Sequence, residues 1–337
     1  MTTLQEIADL AGVSVETVSR VLRGKYRQKG VRGIQRVAQV ERIANELGYR
    51  PNSAARSMKN KSSMMVGVVL PVDANSRLAH AVSMEIVFGL NSVLTDSRYV
   101  MSLLPVSNDE IKTGQPLSRG LREQMVDGFI VIDDIGEQLE SHIRANDKPI
   151  VWANVDRRDS NACVHRDERR AGEMALQALA DAGHRRVLSI ERVAGQGMHY
   201  SFAMRRDGIQ DAAKRNQIDL RTTFVSLRRD APRPNDLPEA VRSAGAVVFS
   251  DVYLSIRVIG ELSLAGLGVC DYSAVSCDDA DELKETLPWL TRSSFNRFEM
   301  GVHAARLLLR LIAGESVEPI VLQPSLIPGG SIALPEQ

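Results

Sequence analysis

From position 64 onward the chain alternates short apolar runs with amphipathic stretches, and this alternation restricts the fold more than any other feature. The runs are MMVGVVLP (64–71), VMSLLP (100–105), DGFIVID (127–133), KPIVWAN (148–154), RRVLSIERV (185–193), GAVVFSD (245–251) and YSAVSCDD (272–279). Helical spacing falls between them, at 81–95, 137–145, 171–182 and 204–215. A strand buried on both faces reads as an unbroken apolar run, and parallel neighbours need crossover helices. The expected body is therefore α/β, with enough strands for two parallel sheets covered by helices. No G-x-G-x-x-G or Walker loop follows any run, so no nucleotide cofactor is indicated. No apolar run approaches the roughly 20 residues of a membrane helix. The start, MTTLQEIADL, lacks a secretion-signal pattern. Cys163, Cys270 and Cys277 are too few and too scattered for a disulfide framework or a zinc knuckle. A cytoplasmic protein with no membrane partner is expected.

The first 62 residues are of another kind. Of the chain's 42 Lys and Arg they hold 12, against five of its 42 Asp and Glu. The formal net charge of zero thus hides a basic head on an acidic body, the pattern of a chain whose head faces a polyanion. Leu4, Ile7, Ala8 and Ala11 recur at helical spacing over 4–10. Gly12 permits a tight turn. Ser14 can cap a second helix over 15–22, with Val18, Val21 and Leu22 on one face and Glu16, Thr17, Ser19 and Arg20 on the other. A third helix is expected over 34–47, with Val37, Val40, Ala44 and Leu47 inward and Gly48 ending it. This is the helix-turn-helix plan, whose second helix lies in the major groove. There Arg20 can pair with guanine, Glu16 can accept from a cytosine amino group, and Val15 can touch a thymine methyl. Thr3, Ser14, Thr17 and Ser19 are hydroxyls suited either to phosphate oxygens or to local capping bonds.

TLQEIADLAGVSVETVSRVLRG (3–24) and IANELGYRPNSAA (43–55) resemble the lactose-repressor (LacI/GalR) family of bacterial transcription regulators. The resemblance runs over nearly the whole chain. It implies a homodimer whose heads read the halves of a near-palindromic double-stranded DNA operator, with Val15, Glu16 and Arg20 at the base-reading positions. Two departures stand out. KYRQKGVRG (25–33) replaces a shorter family loop and is unusually basic, which offers Lys25, Arg27, Lys29 and Arg32 to phosphates or leaves them in a solvated loop. In the hinge that follows, with Asn52, Ala54 and Ala55, Met58 stands where the family has a leucine that wedges into the minor groove. An apolar methionine can wedge, or it can serve as a linker residue. The segment alone is too short and polar to hold a helix, so folding on DNA is expected.

For the body the resemblance implies a two-lobed periplasmic-binding-protein type I core behind the all-α head. The landmarks are VHRDERRAGEMALQALADAGHRRVLSI (164–190), FSD (249–251), SCDD (276–279) and LTRSSFNRFEMGVHAARLLLRLIAG (290–314). The expected boundaries are 1–50 for the head, 51–62 for the hinge and 63–337 for the core. One lobe would take about 63–156 and 296–321, the other about 158–292 and 322–337. A cleft beyond strand C-termini is where a ligand is expected. The resemblance places Asp73, Asn154, Arg205, Asp251 and Phe295 there, around a small polar effector such as a sugar. Each has a plainer reading: Asp251 as a helix cap, Arg205 as a surface residue, Phe295 as core. Ser250 replaces a usual asparagine, and PGGS (328–331) lacks a usual arginine.

An enzyme is not expected. Asp133-Asp134 and Asp278-Asp279 are strand neighbours that point opposite ways, and no histidine has a nucleophile partner or metal spacing. The expected function is a sequence-specific regulator, a repressor, with no cofactor and no metal. The rival is a metabolite-binding sensor with a degenerate head that acts through a protein partner.

Overall fold

The computed structural model describes residues 2–26, 30–50, 62–71, 77–106, 119–123, 125–157, 160–193, 199–227 and 236–333. The chain divides into two units, Met1–Ser63 and Met64–Gln337.

Local signals build the head. Helices α1 (Leu4–Ala11), α2 (Val15–Leu22) and α3 (Gly30–Glu46) follow one another. At the start of α1, Thr3 Oγ1 accepts from the Glu6 amide and Glu6 Oε2 accepts from the Thr3 amide, each at 3.3 Å, a reciprocal capping box. Gly12 closes α1 at φ 64°, a conformation that costs a residue with a Cβ. Ser14 Oγ accepts from the Thr17 amide at 3.2 Å and starts α2. The three helices bury Ile7, Ala8, Ala11, Val18, Val21, Val40, Ile43 and Ala44 together. Helix α3 begins four residues before the expected 34, so Arg32 sits in its first turn and the basic loop is shorter than its sequence implied. The inner stripe runs through Gly33, Val40, Ile43 and Ala44. Leu47, expected inward, lies past the helix end and is 38% exposed.

All seven apolar runs contain strands. The body comprises β1 (Met65–Pro71), α4 (Arg77–Asp96), β2 (Val100–Val106), α5 (Arg119–Arg122), β3 (Gly128–Ile132), α6 (Glu137–Arg144), β4 (Ile150–Ala153) and β5 (Cys163–Arg166). There follow α7 (Glu168–Asp181), β6 (Arg186–Arg192), α8 (Tyr200–Arg215), β7 (Asp219–Val225), α9 (Leu237–Ala244), β8 (Ala246–Phe249), α10 (Val252–Leu264) and β9 (Ser273–Ser276). The last elements are α11 (Asp281–Thr286), β10 (Thr291–Ser294), α12 (Arg297–Ile312), β11 (Ile320–Leu322) and β12 (Ser325–Ile327). Among the described residues two six-stranded sheets form, in the orders β11-β5-β4-β3-β1-β2 and β12-β10-β9-β8-β6-β7. Their pairs are parallel except β10 with β12. Strands β3, β8 and β9 are buried throughout, because apolar layers cover both faces of each sheet.

The sheets correct one expected boundary. Strand β5 pairs with β4, Trp152 beside Cys163, so 163–166 belongs to the first lobe and the chain crosses after Arg166 instead of near 157. Only Cys163 and Val164 are apolar in this four-residue strand, too little for a run to show. In the second lobe, α7 and α8 cross with backbones in contact. A Cβ on Gly172 would lie 2.2 Å from the Arg205 carbonyl oxygen, and one on Gly208 2.0 Å from that of Arg169. That crossing sets Arg205 against the first turn of α7.

Candidate functional site

On the head, α2 presents a polar face away from its core. Ser14, Glu16 and Arg20 are exposed, as is Lys25 beyond the helix end. Val15, Thr17 and Ser19 are half-buried, and Val15 packs on the head core. Glu16 and Arg20 stand one turn apart on one side, as readers of neighbouring bases must. The hydroxyls of Thr3 and Ser14 cap their helices, and Ser14 Oγ lies 2.9 Å from Thr17 Oγ1. The capping bonds from the Glu6 and Thr17 amides orient the helix ends. Asn52, Ala54, Ala55 and Met58 of the hinge lie outside the described residues, as do Arg27, Lys29 and, in the body, Asp73.

In the body the site forms where strand C-termini of both lobes meet. Asp278 lies at its centre. Arg205 Nη2 stands 2.9 Å from Asp278 Oδ2, and Arg297 Nη2 and Arg166 Nη1 stand 2.6 and 3.4 Å from Oδ1. Glu168, fully buried, holds Arg166 and Arg205, each at 2.6 Å. Arg292 pairs with Asp279 at 2.9 Å. Burial alone would raise the Asp278 carboxyl, but Arg205, Arg297 and Arg166 outweigh it and hold it far below the ordinary carboxylate range. Arg166 ends β5, Arg297 opens α12, and Asp278 follows β9, so the cluster ties the first lobe to the second.

A second tie is His199. Its Nδ1 accepts from the Ser201 amide as the cap of α8, so the proton sits on Nε2, which donates to the Asn154 carbonyl at 2.6 Å. Burial lowers the His199 pKa, which the nearby Asp133 only partly restores. Asn154 follows β4 at φ 61° and gives its side-chain amide to Asp133, itself at φ 62°; Ser83 Oγ donates to the other Asp133 oxygen at 3.1 Å.

The expected effector residues fare differently. Asn154 and Asp251 stand just past the C-terminal ends of β4 and β8. Asp251 is indeed a cap: Oδ1 accepts from the Tyr253 and Leu254 amides at 3.0 and 3.1 Å, and from Arg192 at 3.1 Å. Its Oδ2 is buried without a partner, so the cap leaves one oxygen for a ligand. Arg205 is no surface residue. It is fully buried, with Nε bonded to Glu168 and Nη1 to the Ser250 carbonyl, while Nη2 stands 2.9 Å from Asp278 Oδ2 as an ion pair without a hydrogen-bond partner. In this arrangement it braces the site, with Nη2 its one unbonded donor group. Phe295 is 4% exposed, with Arg166 stacked 5.1 Å from its ring centre, so it packs beneath an arginine. A recess of about 560 Å³ opens beside Arg166, Arg169, Tyr200 and Met204, within the size range of small-molecule sites. Arg166, Glu168, Arg192, His199 and Arg297 carry no motif that marks them as site residues in the sequence. Their partners lie up to 112 positions away, and no local pattern reports that.

Among the described residues no group of three or more His, Cys, Asp or Glu is placed to hold a metal ion. Burial pushes the Cys277 thiol up to about 12 despite nearby Arg205, which suits a core residue and no nucleophile. No described helix is long and apolar enough to cross a membrane.

Residues 3–52 match the family described as bacterial regulatory proteins, lacI family, and residues 176–332 match the periplasmic binding protein-like domain. Catabolite control protein A of Staphylococcus epidermidis is 26% identical over 96% of this chain and 97% of its own. The sucrose operon repressor of Lactococcus lactis is 30% identical over 67% of this chain and 66% of its own. Among solved structures, the lac repressor dimer bound to operator and the anti-inducer ONPF aligns over 98% of this chain and 99% of its own, with a TM-score of 0.76 at 22% identity. The regulator CelR with cellobiose aligns over 98% of this chain and 100% of its own, with a TM-score of 0.63 at 22% identity. With its capped reading helix ahead of two parallel-sheet lobes, this chain is a DNA-binding transcription regulator and belongs to the lacI family of bacterial regulatory proteins.

Proposed function

We propose that the protein is a repressor that binds a near-palindromic operator as a homodimer and responds to a small, uncharged, hydroxyl-rich effector held between its lobes. One observation carries the effector reading. Asn154 Oδ1 of the first lobe and Ser250 Oγ and Asp251 Oδ2 of the second are buried at strand C-termini without a hydrogen-bond partner. Leaving such groups unpaired costs about 1–3 kcal/mol each, and a polyol supplies the donors they lack. Relatives add support. The sucrose operon repressor is named for a sugar operon, and CelR was solved with cellobiose. An effector that fits one lobe arrangement better shifts the population toward it, and the head spacing then decides operator fit.

An operator selected from random duplexes provides the test. Arg20→Ala should flatten the preference for the selected sequence by about 1–3 kcal/mol per lost base pair contact. Lys25→Ala should weaken matched and mismatched duplexes alike and lower the salt slope by about one unit. At least one sugar should change operator affinity tenfold or more. Equal losses in both variants, or no sugar response, would overturn the corresponding part.

A further inference from the structure

The second lobe contains an ion pair that uses half of its bonding capacity. Arg192 ends β6, beside β8, whose chain continues into Ser250 and Asp251. Its Nη2 gives one bond to Asp251 Oδ1 at 3.1 Å. An arginine and a carboxylate commonly form two parallel bonds. Here the second is missing: Arg192 Nε and Asp251 Oδ2 are both buried and both without a partner. Asp251 is not free to turn and complete the fork, because its Oδ1 is pinned by the Tyr253 and Leu254 amides. The Arg192 guanidinium is steadied by the Phe202 ring, 5.0 Å away. Ser250 Oγ, also unpartnered, is next to this pair in sequence.

We infer that Arg192 and Asp251 form a donor–acceptor clamp for one hydroxyl of the effector, and that Arg192 sets specificity there. This rests on the reading that the crevice takes a hydroxyl-rich effector. A hydroxyl accepts from Nε–H and donates to Oδ2, so it satisfies both atoms. A carboxylate has no proton for Oδ2 and, like phosphate, is repelled by its charge. An ammonium has no lone pair for Nε–H. A deoxy compound leaves both atoms as they are. The atoms are shut off from solvent in this arrangement, so the ligand reaches them when the lobes part.

Calorimetric titration of the full chain tests the clamp. The probes are D-glucose, D-galactose, D-ribose, D-fructose and cellobiose, their available monodeoxy analogues, and L-glutamate and inorganic phosphate as charged controls. The expected result is binding of one sugar, weakened tenfold or more by Arg192→Met, by Asp251→Asn and by loss of one hydroxyl. The penalty for that missing hydroxyl should shrink in Arg192→Met, which a merely structural ion pair would not produce. Arg192→Lys keeps the charge pair without the guanidinium fork; it should also lose the deoxy penalty, and it serves if Arg192→Met does not fold. Unchanged sugar affinity in folded Arg192→Met or Arg192→Lys overturns the clamp and leaves the effector reading standing. Binding of a charged control alone, or of no probe, overturns both.

Discussion

In the head, Glu16 and Arg20 stand exposed on one short helix, and the cap that sets this helix spans three residues, from Ser14 to Thr17. In the body, Asp278 gathers Arg166, Arg205 and Arg297 from three separate segments and buries all of them. The head keeps its charges in water, where they cost nothing to hold and remain open to a polyanion. The body takes charges out of water, which is tolerable only while each has a partner. A surface built the first way tolerates substitution and changes function. A cluster built the second way links the stability of both lobes to each of its members.

Asp278→Asn attacks that contrast most directly. It leaves three buried guanidinium groups short of a counter-charge and should cost about 3–5 kcal/mol, read as a fall in the urea midpoint of the full chain. A loss as small as that of a surface ion pair would mean the cluster relaxes into water and the contrast is false. On the head, Thr3→Ala removes the capping box and should cost about 0.5–2 kcal/mol of helix stability, visible as faster amide exchange in α1. If operator binding also weakened, by more than this unfolding explains, the hydroxyl would be serving phosphate as well. The smallest effect concerns His199. Its pKa is lowered in the folded state, first by burial, so the unfolded chain takes up the proton more readily. The stability from its neutral bridge is fully present above the ordinary imidazole value of about 6.5 and is lost as pH falls below it. The unfolding midpoint should drop more steeply over this range in the wild type than in His199→Gln. Parallel curves would mean that this bridge does not titrate with folding.

Much of this was legible beforehand for a physical reason. The caps at Thr3 and Ser14, the turn at Gly12 and the buried stripe of α2 are set by neighbours within a turn or so. The seven apolar runs revealed strands because burial on both faces leaves no room for polar residues. Strand β5 shows no apolar run because CVHR is short and half polar, and only its pairing with β4 assigns it to a lobe. Helix α3 extends back to Gly30 through Gly33, a poor helix former that is accepted because the fold buries it.

The cleft divides along the same line. The resemblance put Asn154 and Asp251 at strand ends, and the structure has them there. It also assigned Arg205 and Phe295 to the effector; the fold braces the first against Glu168 and Asp278, leaving its Nη2 without a hydrogen bond, and sets the second beneath Arg166. The capped helices, the buried strands and the split between a basic head and an acidic body follow from residue type and spacing within single segments. Which charges neutralise one another, which polar atoms stay unpaired, and so where a ligand has bonds to make, follow from the packing of segments against each other. Those facts depend on distances between segments far apart in the chain, and such distances exist only once the lobes have folded.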